Sequence, residues 1–113
     1  MLVLFDHGTP APIRQFLAGC SVKRTQELGW DRLTNGELLS AAEDSGFDLL
    51  LTTDKNIRYQ QNLIGRKIAI VVLGNAQWPV LRHHVQRVVD AVLGATPGSY
   101  HEVRIPETDS AVR

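Results

Sequence analysis

Seven consecutive residues, Lys67-Ile68-Ala69-Ile70-Val71-Val72-Leu73, place the tightest limit on what this chain can fold into. After the leading lysine the run is apolar without interruption and rich in β-branched side chains. No polar alternation leaves one face for water. A strand of this kind is buried on both faces, as in the centre of a parallel sheet with helices packed above and below. Leu2 to Phe5 and Leu49-Leu50-Leu51 are similar runs, and stretches of helical period lie between them. Strand alternating with helix predicts an α/β fold: a three-layer α/β/α sandwich around a mostly parallel sheet of four to five strands, with right-handed crossovers.

Local signals set the expected boundaries. The first strand ends in Asp6-His7-Gly8-Thr9-Pro10, where Thr9 before Pro10 is placed to cap a helix over Ala11 to Ala18 with Ile13, Phe16 and Leu17 facing inward. Ser21 to Arg24 reads as an edge strand and Thr25 to Trp30 as a helical turn or loop. Thr34-Asn35-Gly36-Glu37 has the capping-box pattern, predicting a helix over Asn35 to Asp44 closed by Gly46. A short polar helix is expected over Asn56 to Leu63. One continuous helix follows from near Pro79 to Gly94, its apolar side carrying Trp78, Leu81, Val85, Val88 and Val92. Tyr100 to Ile105 is the last expected edge strand. Residues 1–106 then form a single domain, and Glu107 to Arg113 carries too little apolar surface to order alone.

Composition narrows the functional classes. At 113 residues, 43% of them hydrophobic, one core is sufficient without disulfides or structural metal. The single Cys20 excludes an internal disulfide and any zinc site needing two thiolates, and with no secretory pattern it predicts a cytoplasmic location. No apolar run approaches the roughly 20 residues of a membrane span, so no membrane partner is expected. Twelve basic residues balance twelve acidic ones, which removes the broad attraction that non-specific nucleic-acid binding uses. Any nucleic-acid contact must come from a local patch.

Open α/β sheets bind ligands at the carboxyl ends of their strands, where strand order reverses. Asp6 and Asp54 each follow a predicted strand, and they converge if the first and third strands are neighbours. Glu37 opens a helix whose N-terminus faces the same edge. Three carboxylates around one cleft form the hard oxygen set that Mg²⁺ or Mn²⁺ selects, and such ions serve phosphodiester hydrolysis. The segment after Asp54 is dense in donors: Lys55 and Arg58 for phosphates, Tyr59 for stacking, Asn56 and Gln60 for sugar or base edges.

Asp6 with Pro10 after the first strand, Asn35-Gly36-Glu37-Leu38-Leu39 opening a helix, and Leu51-Thr52-Thr53-Asp54-Lys55-Asn56 after a strand resemble the PIN-like superfamily. More closely, they resemble its small bacterial members grouped as a family of unknown function. The motifs cover the first two-thirds of the chain, and the remainder agrees in element order and length. The resemblance implies a Rossmann-like PIN fold and a metal-dependent ribonuclease, as in the toxins of toxin–antitoxin pairs. Asp6 and Asp54 match two acidic positions of the motif, and both are implied catalytic residues and metal ligands. Asn35 stands where relatives often have Asp, and Glu37 is the carboxylate present on that helix. The insertion that carries a further acidic residue in full PIN nucleases is absent.

Each residue also has a plainer role. Asp6 can order its own turn, Asp54 can cap the helix that follows it, and Glu37 can be only the partner of Thr34. The Lys55 to Gln60 segment can be a solvated helix face, and Trp78 with Pro79 a core anchor. Two functions therefore stand: a Mg²⁺- or Mn²⁺-dependent hydrolase acting on single-stranded RNA, or a silent interaction protein. The second would bind a small antitoxin-like protein or a second copy of itself as a homodimer.

Overall fold

The structure, a computed structural model, describes residues 1–60 and 63–106, apart from the side chains of Tyr59 and Gln60. The far end of the helix expected up to Leu63 and the tail 107–113 thus lie outside the described residues, wholly or in part. Five strands form one sheet: β1 (Leu2–Phe5), β2 (Ser21–Arg24), β3 (Leu49–Thr52), β4 (Ala69–Leu73) and β5 (Tyr100–Val103), in the order β2-β1-β3-β4-β5. Every neighbouring pair is parallel. The helices are α1 (Thr25–Leu28), α2 (Asn35–Asp44), α3 (Ile57–Gln60), α4 (Trp78–Leu81) and α5 (Val85–Leu93). No helix of the described residues is long and apolar enough to cross a membrane.

The continuous apolar runs occupy the middle of the sheet, and every residue of β3 and β4 is buried. Period-two alternation divides them between two cores. Val3, Phe5, Leu49, Leu51, Val71 and Leu73 pack with Ile13, Leu81, Val88 and Val92 on one face. Leu4, Leu50, Ile70 and Val72 pack with Leu38, Leu39, Ala42 and Ile57 on the other. The α/β sandwich with helices on both faces is Rossmann-like in class, and its sheet is wholly parallel.

Several local expectations change. The segment after β1 is a 3₁₀ helix over Ala11–Phe16, and Thr9 does not cap it. Its hydroxyl instead donates to the Leu51 carbonyl at 2.8 Å, because that buried acceptor lies one strand away. Phe16 is 43% exposed and meets Trp78 at a tilt, 6.1 Å between ring centres, so the inward face is narrower than its spacing implied. The single helix expected from Pro79 to Gly94 is three pieces, α4, a 3₁₀ turn at Arg82–His84, and α5. The backbone leaves helical geometry at His84 (φ −126°, ψ 17°), while Leu81, Val88 and Val92 remain buried on one side. The β5 strand ends at Val103.

The strand expected from Lys67 starts only at Ala69 because a side chain takes the amides before it. Glu43, in the last turn of α2, accepts from Lys67 N at 2.6 Å and Ile68 N at 3.2 Å through Oε2, and from Arg66 through Oε1 at 2.8 Å. Gly46 (φ 83°) follows in the left-handed conformation that closes a helix, and the Phe47 amide returns to Ala42 O. One carboxylate therefore ties the end of α2 to the entry of β4. Partial burial raises the pKa of Glu43, but the Arg66 guanidinium and the two amide donors outweigh it and hold the group below its ordinary value.

Since the folded pKa is the lower one, this stabilisation is present at neutral pH and lost as pH falls through the folded value. Glu43→Gln is expected to lower the unfolding free energy by about 1–3 kcal/mol at neutral pH. In urea titrations the gap from the parent protein should narrow as the solution is acidified. A gap independent of pH would remove the charge from this account.

Candidate active site at the carboxyl edge

The chain leaves β1 for β2 on one side, then crosses back over β1 to lay β3 on the other. The reversal lies between β1 and β3, and a parallel sheet in this strand order binds its ligand in the crevice outside their carboxyl ends. Asp6 follows the last residue of β1, and Asp54 lies two residues beyond β3.

Their positions rest on the end of β3. Leu51 O accepts the Asp6 amide at 3.0 Å and the Thr9 hydroxyl at 2.8 Å, which fastens the loop after β1 to the neighbouring strand. Thr52, fully buried, donates its hydroxyl to Asp6 Oδ2 at 2.7 Å and accepts from the Asp54 amide at 3.1 Å. Gly8 lies against the next residue so closely that a Cβ there would stand 2.5 Å from Thr53 Oγ1. The second Asp6 oxygen accepts from His7 N at 2.7 Å.

Asp54 is held as tightly. Its Oδ1 accepts from Asn56 N at 2.9 Å, and its Oδ2 accepts from Asn35 Nδ2 at 2.8 Å. Asn35 is the first residue of α2, so three segments distant in sequence meet here. Glu37 is turned elsewhere. Its Oε1 accepts from the Thr34 amide at 3.0 Å and the Thr34 hydroxyl at 2.9 Å, and those bonds hold its pKa below the ordinary value. Two residues advance a helix by about 200°, so Asn35 and Glu37 point to different sides of the same turn. Among the described residues, no three His, Cys, Asp or Glu side chains gather as a metal site.

The candidate rim is divided. Lys55 is exposed, and two hollows along the edge share it. Asn56 reaches the site through its amide. The Arg58 guanidinium carbon lies 5.4 Å from the centre of the Tyr100 ring, and Arg58 lines neither hollow. The side chains of Tyr59 and Gln60 lie outside the described residues.

One hollow, of about 510 Å³, is lined by Thr53, Lys55, Asn75 and Gln77 among others, and the second, of about 330 Å³, by Lys55, Glu102 and Arg104. Asn75, Gln77 and Arg104 had no motif to mark them; Asn75 and Gln77 had the signal of position, just after a predicted strand, whereas Arg104 falls inside the strand expected to run to Ile105. A larger hollow of about 570 Å³ lies at the opposite edge, among Phe47, Asp48, Leu49, Ala69 and Pro97. It is remote from both aspartates, and size alone gives it no chemistry.

Asp6 and Asp54 thus stand at adjacent strand ends, oriented by neutral donors. Among the described residues neither is ion-paired with Lys or Arg. Mg²⁺ commonly takes one or two carboxylates and completes its shell with water and substrate phosphate, so these two aspartates are the residues here that could hold such an ion. No family model matches the chain, and no curated protein or solved structure matches it either.

The hydroxyl of Thr52 separates fold from site chemistry. Thr52→Val keeps the shape but leaves a carboxylate oxygen and an amide without their partner, and is expected to cost about 1–3 kcal/mol of stability. Thr52→Ser should recover most of that loss. Equal stability of the Val and Ser variants in urea would show that the hydroxyl contributes nothing.

Proposed function

We propose that the chain is a PIN-like hydrolase that cleaves single-stranded RNA with a divalent metal held by Asp6 and Asp54. The observation supporting it most is the Thr52 hydroxyl, which joins the Asp6 carboxylate and the Asp54 backbone in the crevice where strand order reverses. The two carboxylates with bound water meet the modest protein-ligand requirement of Mg²⁺ or Mn²⁺ without Glu37. When bound, the ion would supply an activated water and offset the phosphate charge.

The remaining work falls to the chain itself. Thr52 and the His7 amide hold Asp6, while Asn35 and the Asn56 amide hold Asp54, so neither carboxylate must reorganise as charge develops. Asn35 acts here as an orienting donor. Lys55, adjacent to Asp54 and exposed, is placed to pair with a phosphate oxygen. Glu37 serves the helix.

Purified protein is expected to bind Mn²⁺ in calorimetry and to cleave single-stranded RNA with Mg²⁺ or Mn²⁺. Asp6→Asn and Asp54→Asn should each abolish both. Cleavage that survives both substitutions, with contaminating nuclease excluded, would overturn the assignment. So would the absence of metal binding at millimolar Mn²⁺, an outcome that favours the silent interaction protein with an antitoxin-like or self partner.

A further inference from the structure

We infer that the two hollows sharing Lys55 are one trough across the ends of β3, β4 and β5 that carries the phosphodiester chain away from the aspartates. The inference deepens the hydrolase reading and rests on it, naming where a polynucleotide would lie. Both hollows are lined by Lys55 and Gly74, so they adjoin along the edge. Thr53 and Lys55, the chain neighbours of Asp54, open it; Asn75 and Gln77 flank the first part, and Arg104 the second.

At Gly74, which lines both parts, two backbones approach closely. A Cβ on Gly74 would lie 2.9 Å from Val103 O and 3.1 Å from Ile105 N, so no larger residue fits there without driving β5 away from β4. Glycine thus lets the two backbones approach closely beside the place where the hollows adjoin. Strands neighbour at about 4.8 Å, so β3 to β5 spans about 10 Å, enough for more than one phosphate and too much for one alone.

The charged lining is cationic by a small margin, two cations to one carboxylate. Lys55 and Arg104 supply positive charge, Thr53, Asn75 and Gln77 supply neutral hydrogen-bonding groups, and the one carboxylate, Glu102, already accepts the Tyr100 hydroxyl at 3.0 Å. The Asn75 side chain accepts the Gln77 amide at 2.7 Å, which fixes the turn that forms the wall. A trough that opens at the chain neighbours of Asp54 and continues past two cations separates metal from phosphate contacts. It suits an extended single strand, read through its backbone.

The trough can be tested apart from catalysis. Binding of a short, fluorescein-labelled, mixed-sequence single-stranded RNA is followed by anisotropy, with Ca²⁺ replacing Mg²⁺, over a series of salt concentrations. Lys55→Gln and Arg104→Gln alter exposed side chains, and circular dichroism verifies their fold. Each is expected to weaken binding several-fold and to reduce the log–log salt slope by about 0.7, the value of one lost phosphate contact on a single strand. Calorimetric Mn²⁺ affinity should be unchanged in both. Binding and salt slope indifferent to both substitutions would overturn the trough, as would a parent protein that fails to bind the RNA. The hydrolase reading is decided separately by Mn²⁺ binding and its loss in Asp54→Asn.

Discussion

Two polar atoms at the end of β3, the Leu51 carbonyl and the Thr52 hydroxyl, hold the candidate site together. Both lie where a parallel strand leaves the sheet and its ladder can no longer satisfy every group. Leu51 O is met from β1's side by the Asp6 amide and the Thr9 hydroxyl. Thr52 Oγ1 is fully engaged, as donor to Asp6 and acceptor from Asp54. A buried hydroxyl left unpaired is costly, so the same requirement that satisfies the fold ties the Asp6 carboxylate to the backbone of Asp54. Site geometry here is a consequence of closing the strand ends.

The sheet was legible because its signal is redundant. Leu49-Leu50-Leu51 and the run to Leu73 need two apolar faces, and only a central parallel position gives them that. The capping box of α2 was legible for a different reason, since Thr34 and Glu37 interact over three residues and need no tertiary information. What failed were features decided across the fold. Thr9 before Pro10 has the sequence of a local cap, yet an acceptor 42 residues away takes its hydroxyl. Lys67 and Ile68 have the composition of a strand, yet Glu43 takes their amides.

The same division runs through the site. Asp6 and Asp54 could be paired from sequence because both follow strands, but the two candidates on α2 could not be separated by spacing alone. Their fates depend on which way the first turn of α2 faces, and the capping box decides it: Glu37 folds back to Thr34, which leaves Asn35 to meet Asp54. A carboxylate at position 35 would face Asp54 as a like charge, whereas the amide donates to it. With Asn there, the orientation of Asp54 needs no cation.

The neutral donor at position 35 bears on the balanced charge of the chain. Twelve positive and twelve negative residues say little until their partners are known. Glu27 and Glu43 are matched to Arg14 and Arg66, and Glu37 is occupied by neutral donors. Asp6 and Asp54 are held by neutral donors as well, but at a strand-end crevice instead of a helix cap. A net charge of zero thus contains two aspartates at one strand-end crevice, with Lys55 next to Asp54 in the chain. Affinity for a polyanion would then depend on a cation at the aspartates and a few phosphate contacts beyond them, and salt would weaken it contact by contact.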